Sequence, residues 1–128
     1  MLVYAQSSGS QSTNSGSWTP IPGLAVTIPR GAGLKALLIL NVPNPYASGN
    51  NYPGGNFGLQ VNGATLAPVA TFTYNEPVPN STGRIPTTLT AVVPLNQSED
   101  LSVVAVWSGV RGSTVHIDTP ATLTGILG

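Results

Sequence analysis

Short apolar runs recur along this chain, each closed by a cluster of Gly, Pro, Asn or Ser. Leu89, Ala91 and Val93 alternate with Thr88 and Thr90, the period of two expected of a strand with one buried face. No window sets apolar residues at helical spacing between capping signals. The pattern predicts strands at Leu24–Ile28, Leu34–Val42, Asn56–Val61, Ala64–Ala70, Phe72–Tyr74, Thr87–Val93, Leu101–Trp107, Thr114–Ile117 and Thr122–Leu127, with a short edge strand at Leu2–Ala5. Asn62-Gly63 joins two of these and signals a type I′ hairpin, because that turn needs positive φ at both central residues. Nine or ten strands in one domain predict an all-β fold, a two-sheet jelly roll or Greek-key sandwich.

Two stretches break the pattern. Ser7–Ser17 reads SSGSQSTNSGS and carries too little apolar surface to order itself, so it is expected to be a tail or mobile loop. Asn44–Gly55 is a long loop rich in Asn, Gly and Pro, the kind that carries function on a β scaffold. The last strand ends on Ile126-Leu127-Gly128 without a charge, which points to burial against another subunit. Leu34–Val42 and Leu101–Trp107 are equally poor in charge and suit sheets covered on both faces.

Composition narrows the function. The 128 residues form one domain, 1–128, with 15 Gly, 12 Pro and only 6% charged residues. Four Lys+Arg balance four Asp+Glu, which argues against nucleic acid and against an anionic membrane surface as partners. There is no Cys, so disulfides and thiolate metal sites are excluded. No run approaches the ~18–20 apolar residues of a membrane span, and the start lacks the charged region of a signal peptide. A soluble protein without membrane insertion is expected.

With so few charges, Arg84 in Ser81-Thr82-Gly83-Arg84 and Arg111 in Arg111-Gly112-Ser113 stand out. Each guanidinium offers five donors in a fixed fork, suited to carboxylates, phosphates or adjacent hydroxyls. Taken singly, each is as well explained by loop carbonyls or a pair with Asp118. A hydrolase would recruit His116, Asp118 and a serine such as Ser81 or Ser113, but no G-x-S-x-G elbow exists. One His and four scattered acids offer no metal site and imply no cofactor; Glu99-Asp100 sits in a turn and Glu76 beside a Pro-rich loop. The sequons at Asn80 and Asn96 are chance matches in so Asn- and Ser-rich a chain. What remains is Tyr46, Tyr52, Thr73, Tyr74, Ser81, Thr82, Arg84 and Arg111 on loops. Vicinal sugar hydroxyls suit Arg forks and side-chain hydroxyls, and a sugar's C–H face suits an aromatic ring. Tyr4 reads instead as a core aromatic with its hydroxyl at the surface.

Leu40-Asn41-Val42-Pro43, Pro45-Tyr46, Gly49-Asn50-Asn51 and Pro53-Gly54 resemble a bacterial fucose-binding lectin domain. The match resumes at Phe72-Thr73-Tyr74, Val78-Pro79, Ser81-Thr82-Gly83-Arg84, Val110-Arg111-Gly112-Ser113 and His116-Ile117-Asp118. That domain has a tumour-necrosis-factor-like jelly-roll fold and forms the N-terminal half of two-domain superlectins. The resemblance implies a β-sandwich protomer, a homotrimer, and calcium-independent sites for fucosylated oligosaccharides between protomers. It places Tyr46, Thr73, Tyr74, Ser81, Thr82, Arg84 and Arg111 on the sugar, with His116 and Asp118 near the site. The chain departs from the family at Asn56, where a binding-site tyrosine is expected, and at Val69, where a relative has an acid. Those changes leave a second reading, a structural or adhesion trimer of the same fold with altered or lost sugar specificity.

Overall fold

A computed structural model describes residues 1–128 as twelve strands and no helix. They are β1 (Leu2–Gln6), β2 (Gln11–Thr13), β3 (Thr19–Ile28), β4 (Lys35–Val42), β5 (Tyr46–Ser48) and β6 (Gly54–Val61). The remainder are β7 (Ala64–Thr65), β8 (Ala70–Thr73), β9 (Thr87–Pro94), β10 (Leu101–Val110), β11 (Thr114–Ile117) and β12 (Thr122–Leu127). One sheet runs β1-β12-β4-β9 and the other β3-β10-β6, with β7 and β8 both pairing with β6. A small third sheet, β2-β11-β5, lies beside them. Every pairing is antiparallel. This is the jelly-roll sandwich that the alternating pattern predicts.

The core follows from that alternation. Ala36, Leu38, Leu40 and Val42 of β4 face inward with Leu89, Ala91 and Val93 of β9, against Leu59, Val103 and Ala105 of the opposite sheet. Phe57 anchors the centre, its ring 6.5 Å from Trp107 and 6.3 Å from Phe72. Aromatic pairs at this spacing add about 0.5–1.5 kcal/mol beyond their buried area.

The tight turns behave as their sequences demand. Asn62 (φ 48°) and Gly63 (φ 83°) form the expected hairpin turn, and Asn62 Oδ1 accepts from the Ser102 N–H at 2.8 Å. Arg111 (φ 50°) and Gly112 (φ 73°) repeat the geometry between β10 and β11, closed by Ser113 N–H donating to Val110 O at 3.0 Å.

Several expectations need correction. The strand expected over Ala64–Ala70 is split: Leu66–Val69 bulge out opposite only Gly58 and Leu59, because Pro68 has no N–H for the ladder. A short strand at Tyr46–Ser48 forms inside the predicted long loop, where Tyr46 pairs with His116. Tyr4 is not a core residue; it is exposed, and its hydroxyl donates to Gln6 Oε1 at 3.0 Å.

Ser7–Ser17 is ordered, against expectation, by hydrogen bonding in place of apolar burial. Gln11, Ser12 and Thr13 pair with Ile117, His116 and Val115. Buried Ser7 donates its N–H to Ala121 O at 2.9 Å, and its Oγ accepts from the Ala121 N–H at 2.8 Å.

The β1-β12-β4-β9 sheet leaves one face without a cover in the single chain. Register aligns Leu2, Ile126, Leu37 and Val92 as an exposed apolar row across all four strands. Two residues further along each strand the row reads Tyr4, Thr124, Ile39 and Thr90, and two further again Gln6, Thr122, Asn41 and Thr88. The face thus grades from apolar to polar. At its apolar end Leu34, Leu37, Val92, Ile126 and Leu127 line an open groove of about 460 Å³.

Ser7→Ala leaves the buried Ala121 N–H without an acceptor and is expected to cost about 1–3 kcal/mol. Urea unfolding checks this: the midpoint falls while the slope stays constant.

Candidate functional site

β11 is the shared strand of the small sheet and places the site's central row. His116 lies opposite Tyr46 on one side and Ser12 on the other, and paired residues project to one face. Tyr46 and His116 stack with centroids 4.6 Å apart and planes 10° from parallel. Arg84 covers Tyr46 as well, its guanidinium carbon 4.1 Å from the ring centroid. A ring has two faces, so Tyr46 is sandwiched and offers a ligand its edge and hydroxyl. The expected sugar-to-ring stacking is therefore not available at Tyr46.

Arg84 is pinned at one edge of its fork. Nη1 donates to Asp118 Oδ1 at 3.0 Å and to Asn44 O at 3.3 Å, while Nη2 lies 2.8 Å from Asp118 Oδ2. Nε–H and the outer Nη2–H, which share the other edge of the planar group, have no acceptor in the chain. Arg111 mirrors this with the edges exchanged. Its Nε donates to Asn51 O at 3.0 Å and its Nη2 to Tyr52 O at 2.8 Å, leaving Nη1 and the inner Nη2–H, at the end of the fork, free. Both arginines are exposed. Each guanidinium thus has one edge engaged by the chain and the other open.

The remaining predicted residues divide into scaffold and surface. The Tyr74 hydroxyl donates to Gly83 O at 2.6 Å and accepts from the Ala47 N–H at 3.2 Å, tying the Ser81–Arg84 loop to β5. Its ring packs edge-on against Phe72. Tyr74 therefore holds the site more than it fills it. Ser81 is exposed, Thr82 half-buried, and neither side chain has a partner in the chain, so both hydroxyls are free. Thr73 is exposed at the end of β8, opposite Gly54.

Asn56 lies on the outer face of β6. It accepts from Thr71 Oγ1 at 2.8 Å and donates to Ser108 Oγ at 3.0 Å, so its amide is engaged within the protein. Val69 is exposed in the bulge between β7 and β8.

Sequence reasoning missed Ser10, Gln11 and Ser12. They wall a cavity of about 160 Å³ with Tyr46, His116, Ile117 and Asp118, and neither Thr73, Asn56 nor Arg111 reaches it. The Ser-rich composition that argues for disorder also hides a polar edge strand. The serines weighed as nucleophiles do not meet His116. Ser113 is buried against Gly54, and the hydroxyl beside His116 Nε2 is that of Ser48, at 3.1 Å. No group of three or more His, Asp or Glu side chains converges.

A family model described as Bc2l-C, N-terminal domain matches residues 5–126. A search of curated proteins finds no match. Among solved structures, the C-terminal domain of EclA, described as a sugar-binding protein, is similar with TM-score 0.48 and 12% identity, over 91% of this chain and 78% of that one. The CBM36-1 domain of a multidomain xylanase from the hindgut metagenome of Trinervitermes trinervoides has TM-score 0.45 and 16% identity, over 100% and 99%. Eiger TNF from S. frugiperda has TM-score 0.41 and 9% identity, over 99% and 92%. At such scores and identities these likenesses bear on neither site nor function.

Burial lowers the pKa of His116 from its ordinary 6.5, and the Arg84 charge lowers it further against a smaller opposing pull from Asp118. The fold therefore favours the neutral ring. As pH falls below 6.5 the unfolded chain takes up this proton first, so the native state loses stability until His116 itself titrates. Melting temperature is expected to decline below pH 6.5, and His116→Gln to flatten that decline, measured by circular dichroism across the range.

Proposed function

The chain belongs to the family of the Bc2l-C N-terminal domain, the bacterial tumour-necrosis-factor-like lectin domains, and on that premise we propose that it is a calcium-independent lectin for fucosylated glycans. The observation that carries this reading is the free fork edge on each of two exposed arginines. Each edge presents two parallel N–H donors, the spacing that two neighbouring sugar hydroxyls accept. Free hydroxyls at Ser81 and Thr82 beside Arg84, and at Thr73, supply the single contacts that orient a ring. The ligand is neutral, in keeping with a protein of zero net charge.

The sites lie between protomers of a homotrimer. The cavity beside Tyr46 contains neither Thr73 nor Arg111, and the exposed Leu2–Ile126–Leu37–Val92 row supplies an apolar surface for association. Closed symmetry about a threefold axis hides such a row and brings different edges of neighbouring protomers together. The second reading, a structural trimer that has lost its ligand, draws on Asn56, whose amide is spent on Thr71 and Ser108 where the family expects a tyrosine.

Light scattering at micromolar concentration is expected to give three times the 13.0 kDa of one chain. A folded monomer there overturns the intersubunit site.

Arg84→Ala and Arg111→Ala are each expected to weaken binding of a simple fucoside tenfold to several thousandfold. A charged hydrogen bond contributes ~1.5–3 kcal/mol net, and each variant loses a pair. Loss of the exposed Arg84–Asp118 pair costs only ~0–1 kcal/mol of stability. Calorimetric titration and melting on the same samples separate the readings: a structural trimer loses stability in the variants and has no fucoside binding to lose. Titration in EDTA is expected to leave the affinity unchanged.

A further inference from the structure

Gly58 lies on the outer face of β6 and is nevertheless buried, because the indole of Trp18 reaches from the start of β3 across β10 to cover it. A Cβ at this position would meet Trp18 Cη2 at 3.2 Å and Cζ3 at 3.4 Å, so glycine is what lets the indole settle this close to the sheet. Trp18 is half-buried, whereas Trp107, the other tryptophan, points into the core. Below the indole, Pro20, Val106 and Gly58 stand in register as an apolar row across three strands.

Two amides frame this row. Alternation along β6 puts Asn56 and Gln60 on the same outer face, one on each side of Gly58 and each about 7 Å from it. Thr71 Oγ1 donates to Asn56 Oδ1 at 2.8 Å and Asn56 Nδ2 to Ser108 Oγ at 3.0 Å; Gln60 Nε2 donates to Thr65 Oγ1 at 3.1 Å. A threonine of a neighbouring strand thus fixes the orientation of each amide. Each keeps one N–H for a further partner, and Gln60 keeps its carbonyl oxygen. The three rows, Thr71–Asn56–Ser108, Gly58–Val106–Pro20 and Thr65–Gln60–Val104, hold no charged residue. An ion finds no counter-charge here, and an apolar partner would leave the amides unpaired. A pyranose meets both demands, with its C–H face on the indole and its hydroxyls on the flanking amides.

We propose that this outer face, centred on Trp18 and framed by Asn56 and Gln60, is a separate carbohydrate-binding face of each protomer. Its ligand is a neutral sugar of the glucose type, whose equatorial hydroxyls leave a whole face of axial C–H groups for the indole. None of these residues belongs to the Arg84 fork or to the cavity beside Tyr46, so the proposal does not rest on the fucose reading.

The test titrates isotopically labelled protein with cellotetraose and, separately, with methyl fucoside, following the indole N–H and side-chain amide resonances; Trp18→Phe assigns the indole pair. Cellotetraose is expected to shift the Trp18 indole and the Asn56 and Gln60 amides along one saturation curve, and to leave the buried Trp107 in place. Gln60→Ala weakens that binding about three- to tenfold, the loss of about one neutral hydrogen bond. Trp18→Ala abolishes it, and Arg84→Ala leaves it unchanged. Trp18→Ala also uncovers Gly58 and Val106, so the deciding measurement is the shift in the unaltered protein. A Trp18 indole that cellotetraose does not move, or an affinity unchanged in Gln60→Ala, overturns the face. An indole that moves only on dilution of the protein marks a subunit contact and overturns it as well. Shifts lost in Arg84→Ala belong to the fucose site and overturn its independence. Shifts with cellotetraose alongside no binding of methyl fucoside support the face and overturn the fucose assignment.

Discussion

The pairing of β11 with two strands at once is the constraint on which the site depends. His116 is registered against Ser12 of β2 and Tyr46 of β5, so a single strand fixes both walls of the cavity. A slip of one residue in either ladder would turn Tyr46 or Ser12 to the opposite face and dismantle the stack. The row then extends beyond the sheet, because Arg84 lies over the free face of Tyr46 and reaches Asp118, two residues after His116 and just past the end of β11. Tyr74 completes the frame by clamping the loop that carries Arg84 onto β5. Remove the β11 register and no individual contact in the site has a defined position.

Within that frame the scarcity of charge is what makes two arginines informative. A guanidinium on a long side chain loses rotamer freedom when a ligand fixes it, and a fork already held at one edge has surrendered that freedom in advance. Asp118 and Asn44 do this for Arg84, and the Asn51 and Tyr52 carbonyls for Arg111. Arg111 adopts positive φ in its turn, an uncommon backbone for a side chain of this size, and its anchoring bonds offset that cost. His116 stays neutral in the same economy. A second cation beneath Tyr46 would oppose Arg84 above it.

Much of the fold was legible because strands with one buried face write a period of two into the sequence. β9 shows it plainly, β4 alternates in burial although apolar from Ala36 to Leu40, and both positive-φ turns carry the residues such turns require or tolerate. What escaped has a physical reason in each case. β2 orders Gln11–Thr13 through backbone pairing, which leaves no hydrophobic trace, and Ser7 is buried by two hydrogen bonds that composition cannot reveal. The Leu66–Val69 bulge did leave a trace, in Pro68, which demotes a run otherwise read as strand. The candidate arginines were visible as rare charges, but which edge of each fork remains free depends on loop carbonyls that only the folded chain brings close. Tyr46 was visible as a loop aromatic, and its loss of both faces to His116 and Arg84 was not.

The exposed face of the β1-β12-β4-β9 sheet ties these observations to assembly. Its rows pass from Leu2–Ile126–Leu37–Val92 at one end to Gln6–Thr122–Asn41–Thr88 at the other, where Thr88 donates to Asn41 Oδ1 at 3.1 Å. A contiguous apolar patch on a protein with 6% charged residues has few charges to keep it from associating, whereas the polar end of the same face is content in water. In the proposed trimer, association is thereby directed to one end of the sheet and away from the other. That polarity matters for the site, because β4 runs from the apolar end at Lys35 to Val42, and the chain then passes through Asn44 to Tyr46. The carbonyl that anchors Arg84 thus follows directly from a strand that carries the exposed apolar row. A sequence too poor in charge to position its ligand groups by long-range electrostatics positions them instead by register.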